Sequence, residues 1–152
     1  MPDLLDPTAT FRRLLVIAAL AAAAVAPAPA FAQKVVAVVN GDPITAFDVE
    51  QRTKLTQITI QKTPSQKEVM EELIEEKLKV QLLKRYSIEG IDTEVQNAFN
   101  NMARRARMTP QQLTEQLSRS GVTTGTLKAR IKAELTWSQI IRGKYQSSFQ
   151  FS

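Results

Sequence analysis

The sequence contains no cysteine and no histidine among its 152 residues. Without cysteine there are no disulfides and no thiolate nucleophiles, and without histidine there is no imidazole base and no imidazole metal ligand. Carboxylates, lysine and tyrosine remain as possible catalysts, but the acidic residues occur singly or at the regular spacing of a helix surface. The composition therefore disfavours an enzyme, and we expect no metal site and no cofactor.

The N-terminal region has the organisation of an export signal. Arg12 and Arg13 precede an uncharged apolar run at residues 14–25, which is shorter than the roughly 20 residues that a membrane-spanning helix needs. An Ala-Phe-Ala motif ending at Ala32 matches the pattern that a signal peptidase cleaves. We predict a signal peptide over residues 1–32, cleaved after Ala32, with an uncleaved membrane anchor as the alternative.

The mature chain, residues 33–152, has the length of one modest domain. Cleavage removes two arginines and two aspartates, so the net charge stays at +5. A mildly basic exported protein can meet anionic lipid, lipopolysaccharide, peptidoglycan or acidic polypeptides. We expect no nucleic acid partner and no stable membrane insertion after cleavage.

A β-hairpin is predicted at the start of the mature chain. Residues 34–40 (KVVAVVN) are rich in valine, which favours strands. The pair Asn40-Gly41 suits the positive φ angles of a tight turn. We therefore expect two short strands joined at this pair.

About five helices are predicted to follow, and residues suited to N-capping mark their starts. Asp48 completes a capping box with Thr45, and Glu68 completes one with Ser65. Pro110 follows the N-cap candidate Thr109. The predicted N-caps are Thr45, Ser65, Asp92 or Thr93, Thr109 and Thr124. The first two helices are predicted from about 46 to 59 and from 65 to 86. The third has inward residues as far as Ala106, the fourth stops at Gly121, and the fifth runs from near Thr124 towards Tyr145.

Apolar residues spaced three and four apart predict the inward face of each helix. They are Phe47, Leu55 and Ile58, then Val69, Met70, Leu73, Ile74, Leu78, Leu82 and Leu83, then Val95, Phe99, Met102 and Ala106, then Leu113 and Leu117, and finally Leu127, Ile131, Leu135 and Ile141. On the second helix we expect Glu71, Glu72, Glu75 and Glu76 to face solvent. Glu75 and Lys79 are spaced for an i,i+4 ion pair.

Arg104, Arg105 and Arg107, followed by a short helix, a turn and another helix, imitate a DNA-binding helix-turn-helix. Export argues against DNA as a partner. The helix dipole offers another explanation, because it favours cations near a helix C-terminus.

A set of aromatic, methionine and isoleucine side chains lies partly off the helix stripes, and methionine suits surfaces that accept varied partners. We predict that the set lines a peptide-binding surface, with ordinary packing or contact with a missing segment as alternatives. Its members are Phe99, Met102, Met108, Trp137, Ile140 and Tyr145.

Three segments in order carry a family resemblance: KVVAVVNGDPITAFDV, VMEELIEEKLKVQLLKRYSIEGI and MTPQQLTEQLSRSGVTTGTLKARIKAEL. Together they resemble the N-terminal module of the SurA family of periplasmic chaperones, and the third is the most specific. The resemblance implies a mainly α fold, in which a short N-terminal β-hairpin precedes about five helices in a compact orthogonal array.

The resemblance also implies a function. It suggests an ATP-independent chaperone module in the periplasm that binds unfolded polypeptides, above all outer-membrane β-barrel precursors, without nucleotide or metal. Two alternatives remain open: an exported helical module that docks one defined partner, and a remnant of a parvulin-type peptidyl-prolyl isomerase.

The sequence departs from the family's pattern after the helical module. No parvulin domain follows it, so we expect no isomerase activity and a module truncated at its C-terminal end. In the family the hairpin usually pairs with a later segment. We therefore expect the strand Val35–Val39 to present an unpaired edge, with Val36 and Val38 as possible client contacts.

Overall fold

A computed structural model of the chain describes residues 34–146, with side chains for residues 34–144. The elements in order are β1 (Val35–Val39), β2 (Asp42–Thr45), α1 (Ala46–Ile60), α2 (Gln66–Arg85), α3 (Ile91–Arg105), α4 (Pro110–Arg119) and α5 (Thr124–Gln146). The predicted mainly α fold, a short hairpin followed by five helices, is confirmed over this range. None of the helices within it is long and apolar enough to cross a membrane.

The hairpin turns at the predicted pair, where Asn40 has φ 49° and Gly41 has φ 93°. Both angles lie in the left-handed region that a two-residue turn of type I′ requires. The Gln81 side chain of α2 fixes the turn to the helices: its Nε2 donates to the Val39 carbonyl at 2.8 Å, and its Oε1 accepts from Asn40 Nδ2 at 3.0 Å. The hairpin is thereby anchored to α2.

Three of the predicted capping residues behave as expected. Thr45, Ser65 and Thr109 each accept a hydrogen bond from the backbone N–H three residues later, and each is part of a complete capping box. In the second box the Ser65 backbone N–H donates to the Glu68 carboxylate at 2.7 Å. This bond, together with the Ser65 hydroxyl, lowers the pKa of Glu68.

Two predicted N-caps were wrong, by two or three residues at α3 and by one residue at α5. α3 begins at Ile91 after Gly90, which has φ 74° and provides no side-chain cap. Ile91 is buried, so packing draws the start of the helix ahead of the capping residues expected at Asp92 or Thr93. At α5 the capping hydroxyl belongs to Thr123, which accepts from the Thr126 N–H at 3.2 Å.

The core has two parts. A helical core joins α3, α4 and α5, together with one residue of α1 and one of the α4–α5 connection, and a smaller hairpin core joins β1 and β2 to α1 and α2. α5 is central because both α2 and α3 pack along it. The buried members of the helical core are Leu55, Ile91, Val95, Phe99, Ala103, Leu113, Leu117, Val122, Leu127 and Ile131, and those of the hairpin core are Ile44, Val69 and Leu73.

Several residues predicted to face inward are exposed instead. Spacing identifies an apolar face, but only the packing of other elements decides how far along a helix that face is covered. On α3, for example, Ala103 is fully buried while Ala106, beyond the helix end, is exposed. The other exposed members are Phe47, Ile58, Leu78 and Met102.

The glutamates of α2 were also partly misplaced. Arg52 of α1 is buried, and its guanidinium bonds to the Glu76 carboxylate and lies 3.5 Å from that of Glu72. Glu76 therefore faces α1 rather than solvent, and Glu72, with 39% of its side chain exposed, lies at the border of the same contact. The predicted Glu75–Lys79 ion pair is present at 2.9 Å.

A buried glutamine connects α1 to the α4–α5 connection. Gln51 donates from Nε2 to the Gly121 carbonyl at 2.9 Å and accepts at Oε1 from the Thr123 N–H at 2.7 Å. Both backbone groups lie where α4 has ended and α5 has not begun, so no helix supplies their partners. One side chain thus fixes the entry of α5.

Candidate functional site

The outer edge of β1 is one candidate contact surface. Within residues 34–146 the sheet has only the two strands, which pair with Val39 opposite Asp42 and Val38 opposite Pro43. Because Val39 and Asp42 flank the two-residue turn, they form a hydrogen-bonded pair, and the next pair is of the non-hydrogen-bonded type. The N–H and C=O of Val38 therefore point away from β2, towards the open edge.

The side chains of β1 divide between two faces of the hairpin. Ala37 and Val39 pack on the hairpin core. Val36 and Val38, at alternate positions, are 44% and 61% exposed. The register shifts between Val35 and Ala37, so Val36 occupies a β-bulge. Among the described residues 34–146, the strand thus has an unpaired edge together with an apolar outer face.

The aromatic and methionine set does not form one continuous exposed surface. Phe99 and Ile140 are 2% and 7% exposed, and Phe99 belongs to the helical core. Met102 and Trp137 are 40% and 43% exposed, and Met108, just after α3, is half-buried. The Tyr145 side chain lies outside the described side chains. Of the five predicted residues whose side chains the structure describes, Met102 and Trp137 are the most exposed.

A charged pair crosses the α2–α5 interface one helical turn before Trp137. Lys79 Nζ lies 2.9 Å from the Glu75 carboxylate and 3.0 Å from that of Glu134, one helical turn before Trp137. Burial on its own would lower the pKa of Lys79, but the hydrogen bonds to the two carboxylates outweigh it and raise the pKa. The helix that carries Trp137 is thus fixed at a defined position on α2.

No group of three or more carboxylates that could hold a metal ion occurs within the part of the chain that the structure describes. Some of the other ionisable residues there form exposed i,i+4 pairs, such as Glu50 with Lys54. Such pairs are typical of solvated helix surfaces.

A comparison with protein families identifies the module. The model of the SurA N-terminal domain matches residues 32–141, which includes the hairpin and nearly all of the five helices. The chain belongs to the SurA N-terminal domain family.

Relatives of this domain are named Chaperone SurA. The chain is 30% identical to that of Saccharophagus degradans over 118 residues, 72% of this chain and 27% of the relative. It is 30% identical to Chaperone SurA of Pseudomonas fluorescens over 127 residues, which are 78% of this chain and 30% of the relative. It is 34% identical to Chaperone SurA of Bordetella pertussis over 106 residues, which are 64% of this chain and 20% of the relative. The chain thus spans less than a third of the length of these three relatives.

Sequence reasoning missed residues that position the SurA N-terminal domain's surfaces. Gln81 ties the hairpin to α2, and Arg52 and Gln51 tie α1 to α2 and to the start of α5. Arg52 gave no distinct signal, because Asp48, Glu50 and Lys54 make the same helix rich in charge. The glutamines gave none, because amides are common on exposed helix faces.

Proposed function

We propose that this SurA N-terminal domain is an ATP-independent chaperone module that binds unfolded polypeptides in the periplasm, outer-membrane β-barrel precursors among them. The observation that carries the proposal is the open β1 edge, with exposed valines at alternate positions. The names of the relatives support it. Reversible contact between apolar surfaces competes with aggregation and needs no energy source.

The β1 edge suits an extended client. A client strand can pair its backbone with the outward N–H and C=O of Val38, while its alternate side chains contact Val36 and Val38. Strands of β-barrels alternate apolar and polar residues, so one face of such a segment matches this outer face. Backbone pairing is independent of client sequence, which a chaperone with many clients requires.

The helix surface around Trp137 offers a second contact. Its exposed indole provides a large apolar area on a helix held to α2 by the Lys79–Glu134 pair. Met102 on α3 is flexible and polarisable, and it can adapt to different client side chains. We place client contacts at these two residues rather than at the buried Phe99 and Ile140.

The test measures aggregation of an unfolded outer-membrane β-barrel protein, diluted from denaturant with and without a several-fold excess of the chain. We expect slower aggregation, and less protection by Trp137→Ser. Phe99→Ser is unsuitable as a variant because it would disrupt the core. Ser138→Ala, at an exposed neighbouring position, is the matched control and should protect as well as the wild type.

The same assay separates a chaperone from a module with one defined partner. A chaperone binds several unfolded proteins and ignores their folded forms, whereas a specific module forms a saturable complex with one sequence. No effect on aggregation at several-fold excess would contradict the chaperone function.

A further inference from the structure

The last turn of α3 and the residues just after it carry a basic cluster, Arg104, Arg105 and Arg107, which we call the arginine turn. All three side chains are exposed, and within the described residues none pairs with a carboxylate. The sequence has no acidic residue between Glu94 and Glu115. Three positive charges of a chain with net charge +5 are therefore locally uncompensated.

The helix dipole explains only part of this cluster. Arg104 and Arg105 lie in the last turn of α3, where cations are favoured. Arg107 lies beyond the helix end at φ 58°, a left-handed conformation that disfavours side chains other than glycine or asparagine. Gln61 and Ser87 have the same conformation after α1 and α2, so the backbone geometry does not account for an arginine at this position.

The surroundings of the arginine turn suit a phosphate-bearing headgroup. An open pocket of about 480 Å³ adjoins it, lined by Asn97, Asn100, Asn101, Arg104 and Pro110. The carboxamides can donate to phosphate oxygens and accept from headgroup hydroxyls, and they bring no negative charge to repel an anion.

An apolar side chain accompanies these polar groups. Met102 is 40% exposed and precedes Arg105 by three residues, so the two are neighbours on the helix surface. Arginines beside an exposed apolar side chain form the combination that binds at the boundary between lipid headgroups and acyl chains.

We propose that the arginine turn docks on the surface of an anionic phospholipid membrane, with the asparagine-lined pocket receiving a headgroup. The three arginines are spread over an exposed turn instead of converging in an enclosed cavity, which suits an extended charged surface better than a single soluble phosphate. This interaction is separate from client binding, and it would bring the module to a membrane.

The test measures binding of the full chain to phosphatidylcholine vesicles with and without phosphatidylglycerol, at low and high salt. Each arginine near an anionic surface contributes about fivefold to binding, so loss of all three should weaken it about 100-fold. Residues 1–32 are present in the wild type and in each variant, so any vesicle binding by these residues is the same in all of them. Met102 stays intact because it also belongs to the proposed client surface. The variant is R104Q/R105Q/R107Q.

A control variant removes the same charge from other exposed positions, outside the arginine turn. We expect it to lose far less binding, and circular dichroism should show both variants folded. Equal loss in the two variants, or binding by the wild type that is independent of phosphatidylglycerol, would overturn the proposal. Binding to poly-glutamate is measured in parallel. If the triple arginine variant loses binding to poly-glutamate but keeps binding to vesicles, the partner is an acidic polypeptide and the proposal is overturned. The control is K62Q/K84Q/R142Q.

Discussion

The guanidinium of Arg52 on α1 bonds to the Glu76 carboxylate on α2 inside the folded module, with 3% and 11% of the two side chains exposed. Removing one member of such a pair leaves the other charge buried without its partner, at a cost of about 3–5 kcal/mol. We expect Arg52→Met to lower the free energy of unfolding by this amount, measured by urea denaturation. This is a large part of the roughly 5–15 kcal/mol that stabilises a typical domain.

A double-mutant cycle and a control define this effect. The loss of stability in R52M/E76Q should be smaller than the sum of the losses in the two single variants, because the double variant leaves neither member of the pair buried without the other. Lys54→Met removes a charge two residues along the same helix, from a more exposed pair with Glu50, and should cost less than about 1 kcal/mol. Additive single effects would show that Arg52 and Glu76 do not stabilise one another.

The hairpin and most helix starts could be predicted because their signals are local. Asn40-Gly41 specifies the turn, and Thr45 with Asp48 specifies the start of α1, whatever the rest of the chain does. The Arg52–Glu76 pair could not be predicted, since it depends on which face of α1 meets α2.

The candidate site was predictable to a lesser degree. The valine-rich run predicted the strand, whereas the open edge was expected only from the family resemblance; Val36 and Val38 are exposed in the structure. For the helix surface, composition marked Phe99 and Trp137 alike as apolar. Burial separates them, because α4 and α5 pack over the middle of α3 while the indole lies on the outside of α5.

Alkaline pH should remove the contribution of Lys79 to the stability of the folded module. Because the folded state raises the pKa of Lys79 above its ordinary value of 10.5, its stabilising contribution is complete below that pH and is lost as the pH rises through the folded pKa. Lys79→Met should therefore cost up to about 1 kcal/mol near neutral pH. The difference from the wild type should shrink above pH 10.5.

Urea unfolding of both proteins across this pH range provides the measurement. Lys62→Met, at an exposed position outside the α2–α5 interface, serves as the control for general alkaline destabilisation. A stability difference between Lys79→Met and the wild type that stays constant through the alkaline range would contradict a raised pKa at Lys79.

The third prediction concerns the open edge of β1. Val36→Lys and Val38→Lys place a charge on the outer face, where we propose that client side chains pack, and lysine also discourages pairing at a strand edge. A cross-strand contact is worth at most about 1 kcal/mol, so each variant should weaken client affinity by about fivefold or less. Fluorescence anisotropy of a labelled barrel-strand peptide measures this affinity. Ile60→Lys is the control, since Ile60 is 58% exposed but lies at the end of α1.

Val38→Pro tests the backbone part of the same interaction. Val38 stands opposite Pro43 in a pair that exchanges no hydrogen bonds with β2. Proline there removes the outward N–H while leaving the bonds between the two strands in place. We expect weaker peptide binding with little change in the urea midpoint. If Val38→Pro and both lysine variants bind the peptide as tightly as the wild type, clients do not pair with β1 and another surface must carry their binding.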